Sequence, residues 1–362
     1  LFKKTPARAV LLNVGHAMKD GHPSKVLITG GRETGGVASF AEALRAGFSE
    51  LGIPAEIVPP GHVFRRWREM RDPQVLKILS TTAVFAAPFA RRAVCVAHGF
   101  PRADVQGWFR LLAIFASYRL AGVRSQLVAV SHYTAVHLRT IFNLRVDAVI
   151  HNPLNGLFFD AHDLNESLNE SLTESPGDCI AYVGRLHPAK GLERILPAIC
   201  AVLRERPDLR ACIIGDGELR PALEAASAGN ERIEFTGRLS QPEVRARLRR
   251  SRVFISACET EALGISYLEA LSQGCAVVMP ACGGGVEIAP ELIGSRIHLF
   301  SASSASEPIA NALRRALLAA PQTVSLAAFS PRAVAQAYLD VDGRQHAHSI
   351  PVVEAGRRSA AI

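Results

Sequence analysis

The sequence predicts an α/β protein of two Rossmann-like domains, each a parallel sheet wound with helices, facing one another across a cleft. Three observations carry this expectation. The 362 residues exceed what one hydrophobic core usually holds. Short β-branched or aliphatic runs alternate with helical patterns through both halves, the arrangement that gives parallel sheets. Between the halves the alternation breaks at Asn152-Pro153-Leu154-Asn155-Gly156, and a polar near-repeat runs from Leu164 to Ser175. Residues 1–24 are then an N-terminal extension, 25–158 the first domain, 159–177 a polar linker and 178–328 the second domain. Residues 329–342 are expected to form a helix returning to the first domain, and 343–362 a disordered tail.

In the first half, Val26-Leu-Ile-Thr29 is a buried strand running into Gly30-Gly31, and Gly35-Gly36-Val37 opens an amphipathic helix to about Leu51. Strand, glycine loop and helix start together form an anion- or sugar-facing pocket, because free amides and the helix dipole point into it. A nicotinamide cofactor is disfavoured here. The pattern T-G-x3-G-x-G would need glycine at Thr34, and the next strand, Ala55 to Val58, ends in Pro59-Pro60 instead of an acid for the ribose. The stretch Val63 to Arg71 places Phe64 and Trp67 three apart on one helical face flanked by Arg65, Arg66, Arg68 and Arg71. The two aromatics either pack inward or form a surface with the arginines. Strands follow near 83–87 and 93–97, and the second ends in His98-Gly99, where a histidine can reach a cleft. A helix near 104–120, a strand at 127–131, a further helix and a strand at 146–150 complete the first half.

The second half repeats the alternation, with strands near 179–183, 211–214, 233–235, 253–256, 276–279 and 297–300. Gly184-Arg185, Gly215-Asp216-Gly217 and Thr236-Gly237-Arg238 are strand-end loops on one edge. Arg185 and Lys190 are five apart, one at a strand end and one at the start of the next helix, so both can reach one diphosphate. A helix from about Ala262 to Gln273 lies between two strands. Glu261 stands where it begins and Glu269 two turns on, so both can look toward the carboxyl edge of the sheet. Gly264 and the run Gly283-Gly284-Gly285 allow close backbone approach beside the two acids. The bland alternative for Glu261 is a first-turn acid favoured by the helix dipole, and for Glu269 a solvated surface residue.

Glu261-Ala-Leu-Gly264-Ile-Ser-Tyr-Leu-Glu269-Ala, with Gly274-Cys-Ala-Val-Val and the glycine run, resembles the E-x7-E segment of the family-4 retaining glycosyltransferases, also called glycosyl transferases group 1. Gly184-Arg185-x4-Lys190-Gly191, about 80 residues upstream, resembles the G-R-x4-K-G element of the same enzymes. The resemblance spans about residues 25 to 340 and implies the GT-B fold. It also implies retaining transfer of a sugar from a nucleotide-diphosphate donor to a glycan or lipid-linked acceptor, in bacterial envelope or exopolysaccharide biosynthesis. Glu261 would lie near the donor sugar hydroxyls and Glu269 would accept from the ribose. Arg185 and Lys190 would hold the diphosphate, and His98 would contact the donor sugar. Gly184, Gly215, Leu263, Gly264 and Gly284 would line the donor site, while Gly35 and Gly36 would shape the acceptor side. The chain departs from the pattern in three places. Ala257-Cys258 replaces the proline-serine before the first glutamate, Glu259 offers a competing carboxylate, and Leu263 replaces an aromatic. Glu287 could touch the donor or be a helix-start acid.

Composition bounds the partners. Residues 1–150 hold 20 Lys and Arg against 9 Asp and Glu, a net of +11, whereas the remainder hold 21 against 24, a net of −3. Such asymmetry suggests an anionic partner for the first half, and an anionic membrane surface suits the Phe64-Trp67 stretch. A nucleic-acid partner is not expected, since the basic residues are scattered and no recognition module occurs. No run of 18 uncharged apolar residues marks a transmembrane helix, and no secretory signal is evident. The chain begins at Leu1 and not at Met, leaving room for a preceding segment. Seven cysteines without Cys-x-x-Cys spacing read as free thiols in a reducing cytoplasm, and the basic first half then suggests a cytoplasmic protein peripheral on the inner membrane face. No cofactor and no metal are expected beyond the donor substrate, and Asp340-Val-Asp342, beyond the last helix, is taken as an accidental D-x-D. The alternatives in other classes are a non-catalytic sugar-nucleotide or glycan-binding subunit of the same fold and, less well supported, an NAD-dependent oxidoreductase.

Overall fold

The computed structural model describes residues 22–30, 36–99, 108–121, 125–159, 178–320 and 324–343. Gly35, the extension up to residue 21, the linker over 160–177 and the tail from 344 lie outside the described residues.

The first half contains β1 (Lys25–Thr29), α1 (Gly36–Glu50), β2 (Ala55–Val58), α2 (Trp67–Arg71), β3 (Val75–Ser80), β4 (Ala93–Ala97), α3 (Trp108–Ala121), β5 (Gln126–Ala129), α4 (His132–Thr140) and β6 (Ala148–Val149). Its strands form one parallel sheet in the order β2-β1-β3-β4-β5-β6. Both faces are covered, so the strands are mostly apolar along their length. Val26, Ile28, Ile78 and Val96 pack under Phe40, Leu44 and Phe48 of α1, while Leu27, Leu79, Cys95 and Leu127 face Tyr118 of α3 and Leu138 of α4.

Two local expectations are corrected here. The strand expected near 83–87 is a 3-10 segment, Thr81–Phe89, and the strand of that region is β3, at 75–80. Lys77 interrupts the apolar run of β3, yet it is fully buried, its ammonium donating to the carbonyls of Asp72 at 2.5 Å and Arg91 at 2.7 Å. Burial pulls its pKa down to about 8. The Phe64-Trp67 stretch is not one helix but a 3-10 segment, Pro60–Arg66, continued by α2. Phe64 is 52% and Trp67 42% exposed, so the pair does not pack inward.

The second half contains β7 (Cys179–Val183), α5 (Leu192–Glu205), β8 (Arg210–Ile214), α6 (Arg220–Ala226), β9 (Ile233–Gly237), α7 (Gln241–Arg249), β10 (Val253–Ile255), α8 (Ile265–Ser272), β11 (Ala276–Pro280), β12 (Ile297–Phe300) and α9 (Ser306–Leu317). These strands form a second parallel sheet, β12-β11-β10-β7-β8-β9. Residues of α5 and α9, such as Ile195, Ile199, Ile309 and Leu313, cover one face. Val244 and Leu248 of α7 and Leu268 and Leu271 of α8 cover the other. This is the GT-B architecture of two Rossmann-like domains.

The chain crosses between the domains twice. After β6, Leu154 and Phe158 enter the core of the second domain, where the Leu154 amide donates to the Phe329 carbonyl at 2.9 Å. The last helix, α10 (Pro331–Gly343), packs in the core of the first domain. A Cβ on Gly47 would lie 2.0 Å from the Pro331 carbonyl oxygen, so α1 and α10 touch backbone to backbone and only glycine fits. The Asp340-Val-Asp342 motif lies inside the end of α10 and not beyond it. Asp342 is buried and pairs with Arg92 at 2.7 Å, tying the helix to the first sheet.

Candidate active site

In an open parallel sheet, ligands bind outside the carboxyl ends of the strands where the winding direction reverses. In the second sheet that point lies between β7 and β10, and the residues singled out by spacing converge on it. The end of β7 carries Gly184 and Arg185; a 3-10 turn, Pro188–Lys190, follows, and the end of β10 leads into residues 256–264.

The Lys190 ammonium meets the Glu261 carboxylate at 2.7 Å, across 71 residues of sequence. Burial alone would lower the Lys190 pKa, but the Glu261 carboxylate beside it outweighs this and holds the amine above its ordinary value. It is therefore a cation at any physiological pH. Arg185 is exposed beside it and has no ion-pair partner among the described residues. The competing acid Glu259 is occupied: it pairs with Arg194 at 2.6 Å and accepts from the Ser303 amide at 2.6 Å.

Gly215 and Gly184 approach so closely that a Cβ on Gly215 would fall 1.9 Å from the Gly184 carbonyl oxygen, and Gly215 has φ +133°. The two strand ends are thus stripped of side chains beside Arg185.

The helix after Glu261 starts later than expected. Gly264 adopts φ 90°, and α8 begins at Ile265, which leaves Glu261 in the preceding loop. The Tyr267 ring packs against this turn. A Cβ on Gly264 would lie 2.4 Å from the ring and one on Gly285 2.5 Å from it, so two glycines clasp a fully buried tyrosine beneath the site. The shared helical face of the two glutamates is therefore corrected: Glu261 is set by the loop, Glu269 by the helix. Glu269 is not a solvated surface residue either. It is 6% exposed, its carboxylate has no hydrogen-bond partner among the described residues, and burial pushes its pKa up to about 7. Leu263 is packed into the core below the site, and Gly284 is buried against the Ala262 carbonyl.

From the first domain, His98 stands at the end of β4. Its ring packs edge-on to Phe40, with centroids 4.5 Å apart. Both ring nitrogens are buried without a close partner, and burial pulls its pKa down to about 4, partly offset by the Asn152 side chain. It is neutral at pH 7. A Cβ on the next residue, Gly99, would touch the Ala262 side chain at 3.8 Å, which places the His98 loop against the Glu261 loop across the cleft. Gly36 is exposed at the start of α1.

One residue here, Asn152, escapes sequence reading, and so do the partners of Glu287. Asn152 looked like a turn residue, and its nearness to His98 depends on β6 lying at the sheet edge. Glu287 accepts from the amides of His132 and Tyr133 in the first domain, both at 2.6 Å, so the helix it caps is one of the opposite domain. Neither leaves a local sequence signal. Among the described residues, no group of three or more His, Cys, Asp or Glu is placed to hold a metal ion.

Residues 177–318, which carry all of this site except the contributions of the first domain, match the family "Glycosyl transferases group 1". The chain is a GT-B protein related to that family. The sulfoquinovosyl transferase SQD2 of Arabidopsis thaliana is 32% identical over 171 residues, covering 47% of this chain and 31% of the relative. A GDP-mannose-dependent alpha-(1-6)-phosphatidylinositol monomannoside mannosyltransferase of Mycolicibacterium smegmatis is 29% identical over 212 residues, covering 55% of this chain and 54% of the relative. The chain thus spans about a third to a half of the length of these curated relatives. In three dimensions, Anabaena Alr3699/HepE, solved with UDP and glucose, superposes with a TM-score of 0.62 over 89% of this chain and 98% of that one, at 17% identity.

Proposed function

We propose that this protein is a retaining glycosyltransferase that moves a sugar from a nucleotide-diphosphate donor to a glycan or lipid-linked acceptor. The single observation that carries the reading is the Lys190–Glu261 pair at the reversal point of the second sheet, beside the exposed Arg185. Loss of a nucleoside diphosphate concentrates negative charge on the leaving phosphates, and fixed cations there stabilise the transition state more than the ground state. Arg185 and Lys190 supply them. Glu269 accepts from the ribose hydroxyls, for which a buried carboxylate without a partner is suited. Glu261, held by Lys190, faces the donor sugar hydroxyls, and neutral His98 reaches the sugar from the opposite domain. The leaving phosphate takes the proton of the acceptor hydroxyl, so the two carboxylates are not a glycosidase pair.

In this reading transfer requires no metal, because the cations are side chains. The test is donor hydrolysis and transfer assayed with UDP-, GDP- and ADP-sugars. Turnover should persist in chelator; abolition by chelator with restoration by manganese contradicts the assignment.

A lipid-linked acceptor, and a role in envelope or exopolysaccharide synthesis, is supported by two observations. The Mycolicibacterium smegmatis relative bears the name of an enzyme acting on a phosphatidylinositol mannoside. The first domain also exposes Phe64, Trp67, Phe85 and Phe89 beside Arg65, Arg68, Arg71 and Arg91. Trp67 lies 6.1 Å from Phe89, and the Arg71 guanidinium stacks 5.7 Å from the Trp67 ring. Arg66 does not contribute free charge, since it is spent on Glu56 at 2.6 Å and on Glu69. This face suits peripheral attachment to an anionic membrane, each cation contributing about 1 kcal/mol. No helix among the described residues is long and apolar enough to cross a membrane. Sedimentation with phosphatidylglycerol vesicles should capture the protein, weaken in high salt and fall in the Arg65→Ser/Arg68→Ser variant. Equal capture by neutral vesicles, or none by any, contradicts it.

A further inference from the structure

We propose that Glu287 is a positioning residue that latches the two domains in the arrangement where the Glu261 loop meets His98. The proposal rests on the glycosyltransferase reading above. Glu287 ends the 3-10 turn Gly284–Glu287 of the second domain, and its two carboxylate oxygens accept separately from the amides of His132 and Tyr133, the first two residues of α4 in the first domain. The side chain of Ser131 takes the next amide, that of Thr134, at 3.0 Å. The first turn of α4 is thus capped jointly by its own domain and by the opposite one. A carboxylate at a helix N-terminus gains from both the free amides and the dipole.

The surroundings favour an ionised carboxylate. Burial alone would raise the Glu287 pKa, but His151, 3.7 Å away on the first domain, and the two amides outweigh it and hold it below the ordinary range. The turn is also joined to the chemistry. The Gly284 amide donates to the Glu261 carbonyl at 2.8 Å, and a Cβ on Gly284 would fall 1.9 Å from the Ala262 carbonyl oxygen and 3.0 Å from the Ser131 hydroxyl. Glycine therefore lets the domains meet there without a gap. On the other side, α4 follows β5, the strand next to β4, whose end carries His98. Glu287 thus sits on a short rigid path between Glu261 and His98 without touching either side chain.

The test uses the full chain and two variants that remove the contact from opposite sides. Glu287→Gln deletes the charge and one acceptor. His132→Pro deletes one donor at the first helical position, where proline is tolerated, and the preceding Ser131 already has the extended φ −159°, ψ 161° that proline favours. Hydrogen exchange of the amides at 132 and 133 should accelerate at least ~10-fold in Glu287→Gln, with the later turns of α4 unchanged. Transfer should fall at least ~10-fold in both variants, while affinity for the nucleoside diphosphate, bound by the second domain alone, stays within about 2-fold. Unchanged exchange, wild-type transfer despite faster exchange, or nucleotide affinity falling as far as transfer each overturns the latch. Should Glu287→Gln fail to fold, His132→Pro decides alone through transfer and affinity. A wild-type chain that turns over no nucleotide sugar defeats the functional reading instead. In that case the exchange of residues 132 and 133, together with a larger radius of gyration of Glu287→Gln in small-angle scattering, decides the latch by itself, and no change in both sinks it.

Discussion

The reversal points of the two sheets are built from the same topology and end in opposite chemistry. Between β1 and β3 of the first sheet, Thr29 and Ser80 answer each other. The Ser80 amide donates to the Thr29 hydroxyl at 2.6 Å, the Ser80 hydroxyl to the Thr29 carbonyl at 2.8 Å, and the Thr29 hydroxyl reaches the Ile78 carbonyl at 3.2 Å. Between β7 and β10 of the second sheet, Arg185 is exposed and unpaired among the described residues and Lys190 and Glu261 face each other, while Glu269, on the helix that follows β10, is buried. The polar groups of the first point are satisfied within the protein, whereas the second presents an exposed guanidinium beside a cation–carboxylate pair, groups able to meet a charged ligand. The contrast between these two points supports the proposed placement of the nucleotide at the second sheet.

The largest expected effect is on catalysis. Lys190→Ala should lower turnover about 10²-fold, the loss of roughly 3 kcal/mol of transition-state stabilisation. Arg185→Ala should act similarly, and both should melt close to wild type because neither side chain is in the core. Wild-type turnover in either would erase the distinction between the two edges.

Next comes the pH dependence of Glu269. Its native pKa, about 7, lies above its ordinary value of 4.5. The native state therefore binds more protons than the unfolded state between these values, and this residue's contribution to stability is lost as pH rises from about 4.5 through 7, by roughly 3 kcal/mol. Glu269→Gln should flatten that slope in urea titrations at stepped pH. In the wild type, nucleotide affinity should improve as pH rises through about 7, because the ionised form accepts ribose hydroxyls, and Glu269→Gln should lose this gain. A wild-type slope in the variant would show that the buried acid is not the group concerned.

The smallest effect sharpens the comparison from the other side. Thr29→Val leaves the buried Ser80 amide without its acceptor and should cost about 1–3 kcal/mol of stability, read as a lowered denaturant midpoint, with turnover unchanged. A loss of turnover at preserved stability would mean that the first reversal point also serves the ligand.

What could be read from sequence follows how local the cause is. The strands of the second domain were legible, and with them the place of Arg185 at the end of β7, because apolar runs and strand ends are local. The start of α8 was not. Ala262 and Leu263 suit a helix, yet it begins only after the turn at Gly264, against which the Tyr267 ring packs. β3 was hidden by Lys77, whose charge is accommodated by two carbonyls from loops on either side of the strand. Arg66 read as one more free cation because Glu56 lies on another strand. Glu287 was the hardest, since its partners stand 154 and 155 residues away in the other domain.

The most direct test is isothermal titration of UDP, GDP and ADP into the wild type, Lys190→Ala and Thr29→Val. One of the three should bind the wild type, bind Lys190→Ala at least ~10-fold more weakly, and bind Thr29→Val with unchanged affinity. Equal affinity for wild type and Lys190→Ala, or a loss confined to Thr29→Val, would contradict the placement of the donor at the second sheet.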